Sequence, residues 1–290
     1  MTQADSETIK TVNTSNSSSI SRRGLLKFTA GGLLLAGGTT LMSLAQGQSS
    51  GVPSHLQGLQ ALMFDTFGTV VDWRTSIIRE GQLLSAQKGF EVDWPVFADR
   101  WRGGYGPAMG QVRRGELPWT KIDDLHRMIL DELIVEFGLT SLTEAEKDHF
   151  NKAWHRLIPW PDAAGGLNRL KTRYIITTMS NGNVSLLLNM GKNAGLPWDT
   201  ILSAELSGHY KPDPESYLMA AELLSLEPEN IMMVAAHPGD LRAAGALGFK
   251  TGYVYRPLER GPDRIVERNT ADNYDIRAED FVDLAVKLGA

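Results

Sequence analysis

The sequence predicts an α/β chain in which a parallel sheet flanked by helices is interrupted, after its first strand, by an all-helical insert. Three observations carry that expectation. A short apolar run stops abruptly at Asp65, helical patterning then dominates to Pro159, and beyond Arg173 apolar runs alternate with amphipathic ones.

Leu59 to Phe64 (Leu-Gln-Ala-Leu-Met-Phe) has the nearly continuous apolar character of a strand covered on both faces. Ile77, Ile78, Leu84 and Lys88, closed by Gly89, predict a helix. Ile122, Leu125, Ile129, Leu133 and Phe137, between Thr120 and Gly138, predict a stronger one. Thr143 with Glu146 is a capping-box pattern, and the helix it opens runs on through Phe150, Trp154 and Leu157 until Pro159 and Pro161 stop it. The alternating part follows: strand Tyr174 to Met179, helix Val184 to Ala194, strand Thr200 to Ser203, helix Glu215 to Leu224, strand Ile231 to Ala236, helix Asp240 to Leu247, strand Gly252 to Tyr255. Such alternation implies a Rossmann-like parallel sheet. The expected organisation is a leader over residues 1–45, an α/β core made of 56–72 and 160–290, and a helical cap over 73–159.

Composition narrows the function. A chain of 290 residues that is 42% hydrophobic can build a full core. A net charge of −5 leaves no basic footprint, so nucleic acid is not an expected partner. The absence of cysteine excludes disulfides, thiolate metal sites and cysteine nucleophiles. Residues 1–21 are polar and of the composition of a disordered segment. Ser21-Arg22-Arg23-Gly24-Leu25-Leu26-Lys27 and the uncharged stretch to Ala45 have the form of a twin-arginine export signal, with cleavage after Ala45 and a periplasmic destination. Membrane contact is then confined to export. An uncleaved anchor is the alternative, weakened by Gly31, Gly32, Gly37 and Gly38.

The chemistry-bearing residues all fall at strand ends, where open parallel sheets bind ligands. Phe64-Asp65-Thr66-Phe67-Gly68-Thr69 puts a carboxylate there, in a turn that Gly68 permits and Thr69 can tie down; alternatively Asp65 only caps the loop. Thr178-Met179-Ser180-Asn181-Gly182 offers a hydroxyl and an amide ahead of a helix, either an anion site or an ordinary cap. Lys211-Pro212-Asp213-Pro214, with Tyr217 a turn later, could lower the pKa of a nearby carboxylate, or Lys211 could be a surface residue. In Val234-Ala235-Ala236-His237-Pro238-Gly239-Asp240, the last residue could be only a helix cap and His237 only a loop residue. His126, His149 and His155 follow no metal-ligand spacing, Asp123-Asp124 reads as a solvated first helical turn, and the tryptophans of the insert, Trp119 included, read as packing.

Taken in order and around a helical insert, these segments resemble the motifs of the haloacid dehalogenase superfamily, and within it the type II 2-haloacid dehalogenases. The resemblance spans residues 58–290. It implies Asp65 as nucleophile, with Thr69, Lys211 and Asp240 as its catalytic companions and Ser180, Asn181 and Tyr217 around the substrate. Trp101-Arg102 matches the family's halide-side arginine. The sequence departs from the pattern at Ala235, Ala236 and His237, where the family often carries Ser-Ser-Asn, so His237 would supply the base or hydrogen bond that relatives obtain otherwise.

Phe67 separates dehalogenation from phosphate chemistry. Phosphatases of the superfamily carry a second Asp at that position to protonate the leaving group, whereas halide departs as an anion and needs no acid. Phe67 instead adds an apolar wall beside the substrate, and Asp240 without an adjacent carboxylate leaves Mg²⁺ short of ligands, so no cofactor or metal is expected. The implied reaction is attack by Asp65 on the halogen-bearing carbon of a small 2-haloacid, followed by hydrolysis of the aspartyl ester. The family also implies the S enantiomer and a homodimer. A Mg²⁺-dependent phosphatase, and a non-catalytic periplasmic binding protein of the same fold, are the rival readings.

Overall fold

The apolar run before Asp65 forms β1 (Ala61–Phe64), all of it buried, as a central parallel strand must be. The structure, a computed structural model, describes residues 51–290; the proposed export signal and its cleavage site lie outside the described residues. Beyond a tight turn, β2 (Val71–Asp72) leads into α1 (Trp73–Lys88), whose N-cap Asp72 accepts a hydrogen bond from the Thr75 amide and whose C-cap is Gly89 with φ 76°. There follow α2 (Trp94–Arg113), α3 (Ile122–Glu136) and α4 (Glu144–Asn151), the last opened by the capping box of Thr143 and Glu146. The chain then makes a 3₁₀ turn over Lys152–Arg156 rather than continuing α4, and returns through β3 (Ile158–Pro159). β2 and β3 pair antiparallel, Val71 opposite Pro159 and Asp72 opposite Ile158. The two ends of the helical stretch therefore meet.

The remainder alternates: α5 (Ala163–Lys171), β4 (Ile175–Ser180), α6 (Val184–Ala194), β5 (Thr200–Ser203), a short α7 (Ala204–Ser207), α8 (Pro214–Leu224), β6 (Ile231–Ala235), α9 (Pro238–Ala246), β7 (Lys250–Val254), β8 (Ile276–Ala278) and α10 (Phe281–Lys287). The sheet runs β5-β4-β1-β6-β7-β8 with every pair parallel. This is the expected α/β fold. β1 lies between β4 and β6, at the point where the strand order reverses, so a ligand crevice opens beyond its carboxyl end.

Several elements differ from expectation. α2 has no clear periodicity because Gly103, Gly104, Gly106, Pro107 and Gly110 interrupt it. It forms because Asp93 caps it, Pro95 suits its first turn, and Gly104 lets Ile129 of α3 approach to 2.8 Å of where a Cβ would stand. β8 and α10 lack a period long enough to read; Gly166 of α5 makes room for Phe281 of α10, whose backbone would lie 2.6 Å from an added Cβ. Asp123 is not a solvated helical turn: it accepts from His155 Nε2 at 2.9 Å and Asn183 Nδ2 at 3.0 Å. Trp119 is not core but 36% exposed, tilted over Tyr210. Trp73, Trp94, Trp101 and Trp154 are buried and continue the core on one face of the sheet, which includes Leu62, Phe64 and Phe67. Met63, Met233 and Leu241 fill the opposite face.

Candidate active site

β1 delivers Asp65 to the crevice, and β6, the loop before α8 and the loop after β7 bring its partners. Asp65 is 8% exposed. Its Oδ1 accepts from Lys211 Nζ at 3.0 Å, and its Oδ2 accepts from Thr69 Oγ at 2.8 Å and pairs with His237 Nδ1 at 2.9 Å. Burial pushes the carboxyl group up, but the Lys211 charge, the His237 hydrogen bond and Thr69 outweigh it and hold Asp65 well below the usual carboxylate range. It is an ionised carboxylate with little water around it. Such a group has the chemistry to act as a nucleophile.

Gly68, with φ 84°, bends the chain so that Thr69 returns its hydroxyl to Asp65 while accepting from the Ala236 amide at 3.0 Å. Lys211 also donates to Asp240 Oδ2 at 2.5 Å, and Tyr217 donates to Asp240 Oδ1 at 2.5 Å. Burial lowers the affinity of Lys211 for its proton, yet Asp240 and Asp65 together raise it, so the ammonium persists. Burial and the nearby Asp65 charge raise the pKa of Asp240, against the opposing pull of Lys211 and Tyr217. Asn181 Oδ1 accepts from the Lys211 amide at 2.7 Å and so aligns the lysine loop.

A cavity of about 280 Å³ lies against Asp65, walled by Phe67, Arg102, Tyr105, Asn181, Lys211 and Tyr217, among others. Phe67 is 2% exposed and meets Trp154 edge-on at 5.9 Å. The Arg102 guanidinium stands 4.2 Å from the Tyr105 ring centre, and its Nη1 is buried with no hydrogen-bond partner among the described residues. A buried unpaired donor of that kind suits an anion. His126, stacked on Trp154 at 4.3 Å behind this wall, is driven by burial down to about 3 and is neutral.

Of the residues the sequence singles out, Asp65, Phe67, Arg102, Asn181, Lys211, Tyr217, His237 and Asp240 share this cavity wall. Thr69 stands behind Asp65. Ser180 is fully buried, its hydroxyl accepts from the Gly182 amide at 3.2 Å, and it does not line the cavity. The sequence reading misses Tyr105 and Glu259. Glu259 meets His237 Nε2 with both oxygens, at 3.0 and 3.1 Å, and accepts from Trp73 Nε1 at 3.3 Å. Neither carries a motif; only the fold shows that Gly68 leaves room for Glu259, since a Cβ there would fall 2.3 Å from Glu259 Oε1.

The donor set does not suit Mg²⁺. Lys211 already bridges Asp65 and Asp240, His237 takes the other Asp65 oxygen, and among the described residues no three carboxylate or imidazole groups converge as a metal site.

Comparison with known proteins places this arrangement. The profile of haloacid dehalogenase-like hydrolases matches residues 59–248. A crystallised L-2-haloacid dehalogenase is 46% identical and superposes with a TM-score of 0.77, covering 80% of this chain and 99% of that one. A defluorinating L-2-haloacid dehalogenase is also 46% identical, with a TM-score of 0.78 over 80% of this chain and 96% of that one. The (S)-2-haloacid dehalogenase 4A of Burkholderia cepacia is 28% identical over 211 residues, 69% of this chain and 85% of that protein. With the strand order, the position of Asp65 and this profile in agreement, the chain belongs to the haloacid dehalogenase-like hydrolases.

Proposed function

We propose that the protein hydrolyses the carbon–halogen bond of small (S)-2-haloacids, with Asp65 as a covalent nucleophile and no metal. The observation that carries this is Asp65 held ionised by Lys211 and His237 opposite Phe67, a side chain unable to protonate a leaving group. The named relatives support the same reaction class. Asp65 attacks the carbon in line with the halide, forming an aspartyl ester; the halide leaves with the bonding electrons toward Arg102 and Asn181. Water then opens the ester at the Asp65 carbonyl and releases the 2-hydroxy acid. A cavity of about 280 Å³ favours short side chains. The helices between β2 and β3 act as the cap that closes over this cavity, covering 73–159, and the remainder from 56 onward is the catalytic core. Export by the twin-arginine signal, a periplasmic location and a homodimer belong to the same reading.

The test is halide release from 2-chloropropionate in the presence of chelator, with the full exported chain. Wild type is expected to release halide, and Asp65→Asn to lose more than about 10³-fold of it while remaining folded by circular dichroism. Mg²⁺-dependent release of phosphate from phosphate esters with no halide released from 2-chloropropionate, or undiminished halide release by the Asp65→Asn variant, would overturn the proposal.

A further inference from the structure

We infer, on the reading that Asp65 is esterified, that Glu259 is the positioning residue of the hydrolytic half-reaction: it orients His237 so that Nδ1 takes the proton of the water that attacks the ester. Among the described residues, the other side chains that hydrogen-bond Asp65 are committed as donors. Lys211 is an ammonium shared between Asp65 and Asp240, and the Thr69 hydroxyl donates to Asp65 while accepting from Ala236. Asp240 has one oxygen on Lys211 and the other on Tyr217. Among the described residues, His237 alone presents to Asp65 a ring nitrogen that becomes a free acceptor by losing one proton, and that atom is 2.9 Å from Oδ2.

Its orientation comes from Glu259. The carboxylate spans Nε2 with both oxygens, is itself 7% exposed, and is fixed from the side by Trp73 Nε1. A hydrogen bond at Nε2 fixes the tautomer in which Nδ1 is the basic nitrogen. A second cavity of about 490 Å³, lined by Trp73, Arg102, His237, Glu259, Arg260 and Arg264 among others, reaches this pair as well. It gives water access to His237 while substrate fills the first cavity.

The charged groups around His237 make its basicity depend on the reaction stage. Asp65 and Glu259 face it directly, Arg102 lines both cavities with it, and Lys211 and Asp240 line the substrate cavity with it. Burial lowers its pKa, but the hydrogen bonds to Asp65 and Glu259 push it up to about 10, so the resting ring is an imidazolium. Esterification removes the Asp65 charge. As halide leaves with its electron pair, the Nδ1 proton leaves to solvent. In the second step water oxygen bonds to the Asp65 carboxyl carbon while Nδ1 takes one water proton. The bond from that carbon to the alkyl oxygen breaks, and the alkoxide departs with the remaining proton as the hydroxy acid. Asp65 carboxylate and His237 imidazolium are restored, and the sum is haloacid plus water giving hydroxy acid, halide and a proton.

Rapid-quench halide measurement with intact-protein mass spectrometry, using 2-chloropropionate, tests this. Glu259→Gln is expected to release one equivalent of halide in a burst at near wild-type rate, then turn over about 10²-fold more slowly with the aspartyl ester accumulating. Glu259→Asp is expected to recover part of the turnover, and His237→Gln to trap the same ester. An unchanged steady state in Glu259→Gln, equal loss of burst and turnover in Glu259→Gln and His237→Gln, or ester trapped by Asp240→Asn but by neither of these, would overturn the inference. Absence of halide from wild type would instead strike the dehalogenase reading itself.

Discussion

Asp65 is held ionised by two cations that differ in permanence. Lys211 keeps its proton at any working pH, whereas the charge on His237 exists because Asp65 and Glu259 are charged. This has a stability consequence. The folded pKa of His237 is raised from 6.5 to about 10, so its contribution to stability is complete below 6.5 and disappears as pH rises through about 10. Thermal melts across that window are expected to show His237→Gln least stable relative to wild type at the acid end, with the gap closing toward pH 10. A gap that widens with pH would contradict the charge assignment. Asp65 has the opposite sign: its lowered pKa stabilises the fold above its ordinary value of 3.8, and that contribution is lost as pH falls below it.

Among the elements, the helices between β2 and β3 owe their packing to small residues at crossings. Gly81 of α1 is the tightest: a Cβ there would stand 2.1 Å from the Trp94 ring, which also donates to Ser85 Oγ at 2.8 Å. Gly81→Ala is therefore expected to cost about 1–3 kcal/mol by overpacking, despite alanine's higher helix propensity. Urea unfolding measures it, and a stabilised Gly81→Ala would show that the α1–α2 contact yields readily. The same crossing explains an asymmetry in legibility. The Thr143–Glu146 box is a local hydrogen-bond pattern and is visible in the sequence, while α2, glycine-rich with Pro107 inside, is a helix that only its neighbours make favourable.

Across the whole molecule, Arg256 joins the start of α5 and α10 to the loop that follows Asp65. It donates to the Thr69 carbonyl at 2.8 Å, forms a two-pronged pair with Asp162 at 2.7 and 2.8 Å, and lies 4.7 Å from the Phe281 ring centre. Asp162 also accepts from the Phe281 amide at 2.9 Å, tying α10 into the same knot. Arg256 is 7% exposed. Arg256→Met leaves the Asp162 carboxylate without its cation and is expected to destabilise the fold by about 3–5 kcal/mol, read as a shift of the urea midpoint. An unshifted midpoint would mean that solvent reaches Asp162.

The site residues were legible where chemistry and punctuation come together: a carboxylate after β1, Ser180-Asn181 at the end of β4, His237 and Asp240 after β6, and Lys211 before a proline, in the loop between α7 and α8 and not at a strand end as expected. Buried parallel strands are apolar throughout, and a nearby turn residue marks where each stops, so the sheet and the residues above it follow from local pattern. Glu259, Tyr105 and Arg256 had no such signal. Glu259 lies 194 residues of chain from Asp65 and reaches the site through His237 Nε2, a contact made only when β6 and β7 pair and Gly68 leaves room. Ser180 shows the converse: a residue conspicuous in the sequence whose hydroxyl turns inward to its own loop. Residue types and their order decide which groups can do chemistry. Which of them touch is decided by long-range packing, because a hydrogen bond depends on distances that no local spacing contains.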